Sequence, residues 1–149
     1  MSSPADSANL LIKLYELRRE PTMREARAWF AYDFNPSSVD EIMATLAGPD
    51  SGRFRMVSSY WDMAASFVNN GAIDEQMFND ANGEQLVVFA KLEPFVAEYR
   101  QRLGSESYFA HLEKLVMKRP GAKELMAANR ERFRAIAAAR RLAPAASEG

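Results

Sequence analysis

One stretch constrains this chain more than any other: residues 51–70, S-G-R-F-R-M-V-S-S-Y-W-D-M-A-A-S-F-V-N-N. Phe54, Val57, Trp61, Ala64, Ala65 and Val68 recur at helical spacing and share one side. Met56, Tyr60, Met63 and Phe67 make a second apolar face. A helix that is apolar on two faces is expected to lie between neighbours, so other helices must surround it. Arg55, Ser59, Asp62, Ser66 and Asn69 occupy the remaining polar stripe. At 149 residues, 48% of them hydrophobic, the chain can bury roughly 70% of its unfolded surface in a single domain.

The punctuation on either side is helical. Asp6 or Ser7 is placed to cap a first helix running to about Arg19, with Leu10, Leu11, Leu14 and Leu17 inward and Pro21 as its stop. T-M-R-E at Thr22–Glu25 reads as a capping box, opening a helix to about Asp33. S-V-D-E at Ser38–Glu41 reads as a second one, opening a helix to Leu46, and Gly48-Pro49 ends it. Asn82 with Gln85 marks the start of a helix over 83–103, kinked at Pro94, whose ring removes a backbone bond. Its residues Leu86, Phe89, Val96, Tyr99 and Leu103 point inward. Gly104 ends this helix, and Ser105 is expected to cap the next, to about Lys118, with Tyr108, Phe109, Leu112 and Leu115 apolar. Pro120 opens the last helix, to about Leu142, and A-P-A-A-S-E-G is expected to be a flexible tail. No segment alternates as a strand would. The expectation is an all-α single domain over 1–149, ordered from about 6 to 142, with seven or eight helices around the helix near 51–70.

N-N-G-A-I-D-E at 69–75 has the look of a calcium loop, and the register rejects it. With Gly71 as the loop glycine, the third and twelfth ligand positions fall on Val68 and Met77, where calcium needs oxygen. Only Asn70, Gly71, Ile73 and Asp74 match. A helix–turn–helix corner accounts for each residue: Gly71 for a left-handed helix end, Asp74 as the next cap, and Ile73 with Phe78 as a hydrophobic staple.

From Tyr60 to Val116 the chain resembles a bacterial family catalogued as a domain of unknown function. The resemblance rests on Y-W-D-M-A-A-S-F-V, N-N-G-A-I-D-E-Q-M-F, E-P-F-V-A-E-Y-R and Y-F-A-H-L-E-K-L. It implies an all-helical fold and brings no activity and no catalytic residues with it. Members often carry N-terminal membrane segments. No apolar run here approaches the roughly 18–20 residues that cross a bilayer, and M-S-S-P-A-D-S lacks the features of a signal peptide. A cytoplasmic protein is expected.

The chemistry-bearing residues are sparse. There is no cysteine and one histidine, His111, without the partners that zinc or di-iron sites require. G-x-S-x-G, the P-loop and G-x-G-x-x-G are absent. Asp40-Glu41 and Asp74-Glu75 sit at helix starts, where the helix dipole accounts for them. No catalytic residue, metal or cofactor is therefore assigned. The polar stripe could line a small-molecule pocket, although a solvent-facing edge explains it more simply.

Charge is unevenly placed. Residues 1–113 carry 10 Lys/Arg against 17 Asp/Glu, or −7, whereas residues 114–141 carry 9 against 2, or +7. Within the last helix, Leu125, Met126, Phe133, Ile136 and Ala137 share one face. Lys123, Arg130, Arg134 and Arg141 cluster on a neighbouring one. Such a stripe fits a nucleic acid or an anionic membrane surface, while contact with the acidic remainder of the molecule or simple solvation explains it more plainly. The pI of about 5.9 and the lack of interleaved aromatics argue against a dedicated nucleic-acid binder. Eight methionines and two tryptophans would make an adaptable apolar surface wherever they are exposed. The expected role is a non-catalytic interaction or regulatory module with a protein partner, self-association included. The alternative is binding of an anionic surface through Lys123, Arg130, Arg134 and Arg141.

Overall fold

The computed structural model describes residues 2–144. Among them are nine α-helical segments and no strand. The order is α1 (Pro4–Arg19), α2 (Pro21–Ala28), a π-helical turn (Trp29–Asp33), α3 (Val39–Ala47), α4 (Ser51–Asn69) and α5 (Glu75–Ala81). Then come α6 (Glu84–Leu92), a 3-10 turn (Glu93–Phe95), α7 (Val96–Leu103), α8 (Ala110–Met117) and α9 (Ala122–Leu142). Segments α6 and α7 are the halves of one helix broken at Pro94, as the missing proline N–H dictates. Counting them as one gives the eight helices that the sequence allows.

Helix α4 is the hub. Its Phe54, Val57, Trp61, Ala64, Ala65 and Val68 are buried in one continuous core with Phe30, Phe34, Ile42, Phe78, Phe89, Leu112 and Met126. It packs on α2, α3, α5, α6 and α8. The second apolar face is only half as expected. Tyr60 is buried and donates its hydroxyl proton to the Leu14 carbonyl, but Met56 and Met63 are each 38% exposed. The neighbouring helices leave this side of α4 uncovered.

Several helix ends differ from the sequence reading, each for a local reason. Helix α1 starts earlier than Asp6 or Ser7 suggest: Ser3 is the cap, accepting from the Asp6 N–H at 3.1 Å, with Pro4 in the first turn. Ser7 is buried instead, and its hydroxyl accepts from the Asp74 N–H at 3.0 Å. Pro21 does not stop a helix so much as open one. Glu20 just before it takes the Thr22 and Met23 N–H groups, so the Thr22–Glu25 capping box does not form. Those two backbone bonds hold the Glu20 carboxyl below its ordinary range. Ser38 caps α3, but Glu41 reaches back to the Ser37 N–H rather than to that of Ser38. Leu17, expected inward, is 56% exposed.

The 69–74 corner matches its sequence reading. Gly71 has φ +81°, Asp74 accepts from the Met77 N–H at 2.9 Å, and Ile73 and Phe78 are buried. The final tail falls outside the described residues from 145 onward.

Candidate functional site

The uncovered side of α4 is a ridge between two grooves. One groove, of about 540 Å³, is lined by Leu17, Glu20, Met23, Met56, Ser59, Tyr60 and Met63. It lies where the α1–α2 corner meets α4. Because Met56, Ser59 and Met63 sit three and four apart, they present one continuous strip. Methionine side chains adapt their shape to what they touch.

The second groove, of about 560 Å³, is formed by α3, α4, α7 and the 105–109 loop. Arg55, Ser59 and Asp62 of the polar stripe line it, facing Leu46, Leu103, Tyr99, Tyr108 and Phe109. Ser66 and Asn69 are not among its lining residues. The stripe therefore divides between residues that line this groove and residues that do not.

Two of its members fasten α8. Asp62 accepts the Leu112 N–H at 2.9 Å, and Asn69 donates to the His111 carbonyl at 3.0 Å. This corrects the expectation for Ser105. Helix α8 begins at Ala110, five residues later, and its cap comes across the fold from α4. Ser105 instead accepts from the Ser107 N–H. The remaining members bond locally: Arg55 donates to Ser51, Ser59 to the Met56 carbonyl and Ser66 to the Met63 carbonyl.

Phe109 at the second groove is backbone-strained. Its φ is +59°, and among the described residues it is the one non-glycine with positive φ. Such strain persists only where surrounding contacts impose it. Here Tyr99 packs on the Phe109 ring at 5.2 Å, and Arg100 donates to the Tyr108 carbonyl while pairing with Glu113. Burial pushes the Tyr99 hydroxyl up to about 12.

Half of the basic stripe of α9 makes contacts within the fold. Arg130 donates to the Ala90 carbonyl at 2.7 Å and pairs with Glu93 at 3.5 Å. Arg134 donates to the Pro36 carbonyl at 3.0 Å. Lys123, Arg134 and Arg141 are exposed, Arg134 with one N–H bonded to the fold. Of the apolar face, Met126 and Ala137 are buried, whereas Leu125 is 44% exposed. The last helix is thus tied to α6 and to the connection that precedes α3.

Beneath it lies a group that the sequence reading did not single out. Lys91 is buried, and its ammonium meets the carbonyls of Phe30, Ala31 and Phe34 at 2.7 Å each and the Asn35 side-chain oxygen at 3.1 Å. A helix end leaves carbonyls unsatisfied, and Lys91 fills that need at the π-helical turn. Burial pushes it down to about 7, the Arg134 cation adding to the shift and Asp33 opposing it. Lys91 borders neither groove.

No helix among the described residues is long and apolar enough to cross a membrane, and no three His, Asp or Glu side chains among them gather for a metal ion.

The geometry defines a wholly α-helical domain whose central helix is left partly open between two grooves. The chain belongs to the family described as Domain of unknown function (DUF4760), whose model matches residues 4–118. The match covers α1 to α8 and extends well beyond the Tyr60–Val116 resemblance; α9 lies after it. No curated protein and no solved structure matches the chain.

Proposed function

We propose that this protein is a non-catalytic interaction module, acting in the cytoplasm, that receives an amphipathic helix of a protein partner along α4. The observation that carries this reading is the methionine groove. Leu17, Met56 and Met63 are 56%, 38% and 38% exposed, and they converge with Met23 and Tyr60 on one depression. Exposed apolar surface of this kind marks interaction sites. The described residues contain no sheet edge, so strand addition is not open to them, and helix-in-groove is the recognition mode that suits a shallow apolar channel between helices.

The alternative, an anionic surface held by α9, is supported less well. Arg130 and Arg134 already have partners within the fold. Among the described residues that leaves Lys123 and Arg141, at opposite ends of the helix, without a partner, and Arg134 exposed with N–H groups to spare.

A photo-crosslinking side chain at position 63, with a second one at position 117 as control, tests the proposal in cells. Met117 is 37% exposed but lies on α8. A discrete adduct is expected at position 63 alone, abolished by Met56→Glu and unchanged by moderate salt. An adduct with a second copy of this chain would make self-association the mode. Equal adducts at both positions, or loss with salt and with Arg130→Glu, would sink the groove reading and favour α9.

A further inference from the structure

A third cavity, of about 460 Å³, shares no residue with the grooves along α4. Tyr15, Arg18, Arg19, Arg24, Arg27 and the 81–84 turn line it. Four guanidinium groups meet one carboxylate there, that of Glu84, leaving the lining at +3. This cluster stands in the part of the chain that is acidic overall.

The four arginines are not equivalent. Arg27 is the most engaged: it grips Glu84 through Nε and Nη2 at 2.9 and 3.1 Å, and its Nη1 donates to the Arg18 carbonyl at 3.1 Å. Glu84 also accepts from the Trp61 indole N–H at 2.8 Å. These groups form a fixed floor. Arg18 gives one N–H to Asn82 at 2.6 Å and lies over the Tyr15 and Trp61 rings, keeping other donors free. Arg19 rests beside the Tyr15 ring, with its Cζ 5.4 Å from the centroid. Among the described residues, the side chains of Arg19 and Arg24 have no hydrogen-bonded or ion-paired partner.

Three guanidiniums with spare donors crowded around one cavity repel one another until an anion joins them. Their planar forks match phosphate oxygens in pairs. A single carboxylate would leave most of the excess charge uncompensated, whereas a phosphate ester brings close to two charges in one group. The 81–84 turn adds the start of α6, whose cap residue Gly83 has no side chain to take the first N–H groups. We infer that this cavity binds a small, soluble, phosphate-bearing molecule, held by Arg18, Arg19 and Arg24 on the Arg27–Glu84 floor.

Pyrophosphate is the probe, titrated into the full-length protein at low salt by calorimetry and by tryptophan fluorescence, because Trp61 touches the floor. Saturable binding of one equivalent is expected, with a change in emission. Each guanidinium–phosphate contact is worth about tenfold or more in affinity. The pair Arg19→Ala/Arg24→Ala should therefore weaken binding at least that much, with its melting curve unchanged. The pair Arg132→Ala/Arg141→Ala on α9 removes the same charge away from the cavity and should change binding less than about twofold. Citrate should bind about tenfold more weakly than pyrophosphate. The inference is overturned by the absence of saturable pyrophosphate binding at millimolar concentration, or by equal losses in the two arginine pairs. Citrate that binds as well as pyrophosphate would overturn the phosphate class. Phosphatidate vesicles that bind more tightly than pyrophosphate would overturn the soluble source.

Discussion

Two clusters of positive charge invite comparison: the stripe on α9 and the arginines around the α1–α2 corner. The first is conspicuous in sequence, with like charges at helical spacing in a segment of +7. The second is diluted by an acidic background. Folding reverses their standing. Arg130 and Arg134 of α9 are bound to Glu93 and to the carbonyls of Ala90 and Pro36. Arg19 and Arg24 are left facing a cavity. Charge density along a chain therefore says little about availability. What matters is whether carbonyls and carboxylates of other elements are within reach, because each N–H group bonded within the fold is one fewer left for a ligand.

The largest effect that could break this comparison concerns α9 as a brace. Met126 is completely buried on its inner side, and Met126→Ala should cost about 4 kcal/mol in urea denaturation. A cost below about 1 kcal/mol would mean that α9 is loosely attached and its cations freer than described.

The next effect is a pH dependence set under α9. With Lys91 near 7 in the folded protein and about 10.4 when unfolded, the unfolded chain binds more protons between those values. Stability should then rise with pH across that window, by about 1.4 kcal/mol per pH unit, and lose this gain as pH falls back through 7. Above about 10 the sign reverses: burial has raised the Tyr60 and Tyr99 hydroxyls to about 12, so the folded state becomes the one that holds protons. Lys91→Met should flatten the rise, and Arg134→Ala should shift its onset to higher pH. Denaturation at several pH values reads both, and a flat profile for the native protein would mean that Lys91 keeps its charge throughout.

Smaller again is the difference between the two acids that serve the clusters. Glu84 satisfies Arg27 twice and Trp61 once, so Glu84→Ala should cost about 2 kcal/mol. Glu93 makes a single contact to Arg130 at 3.5 Å, and Glu93→Ala should cost about 0.5 kcal/mol. Equal costs would erase the distinction between a rigid floor and a surface tie. The smallest contrast is among the arginines themselves: Arg130→Ala should cost about 1 kcal/mol, while Arg19→Ala and Arg24→Ala should each stay within about 0.5 kcal/mol of the native protein.

Much of the fold was legible. The apolar spacing in 54–68 placed the hub helix, Pro94 its neighbour's break, and N-N-G-A-I-D the corner between α4 and α5, because each of these depends on residues within one or two turns. The helix caps were legible only in part. Ser105 and Thr22 look like caps by local rules, but Asp62 and Glu20 took those roles through contacts that spacing does not encode. The grooves were less legible still. The polar stripe named Arg55, Ser59 and Asp62, yet Leu17, Met23 and Phe109 enter the grooves only through the way α1, α2 and α8 meet α4. The arginine cavity had one available signal, four arginines within ten residues flanking Pro21, and a net charge summed over 113 residues averaged it away.

By itself the sequence determined that the chain is helical, where its long apolar helix lies and that its last helix is basic, since periodicity and capping are short-range effects. Tertiary structure alone decided which methionines stay uncovered, which cations are already bonded, and that Lys91 is buried under α9. Exposure and pairing depend on which surfaces happen to meet, and those surfaces come from segments tens of residues apart.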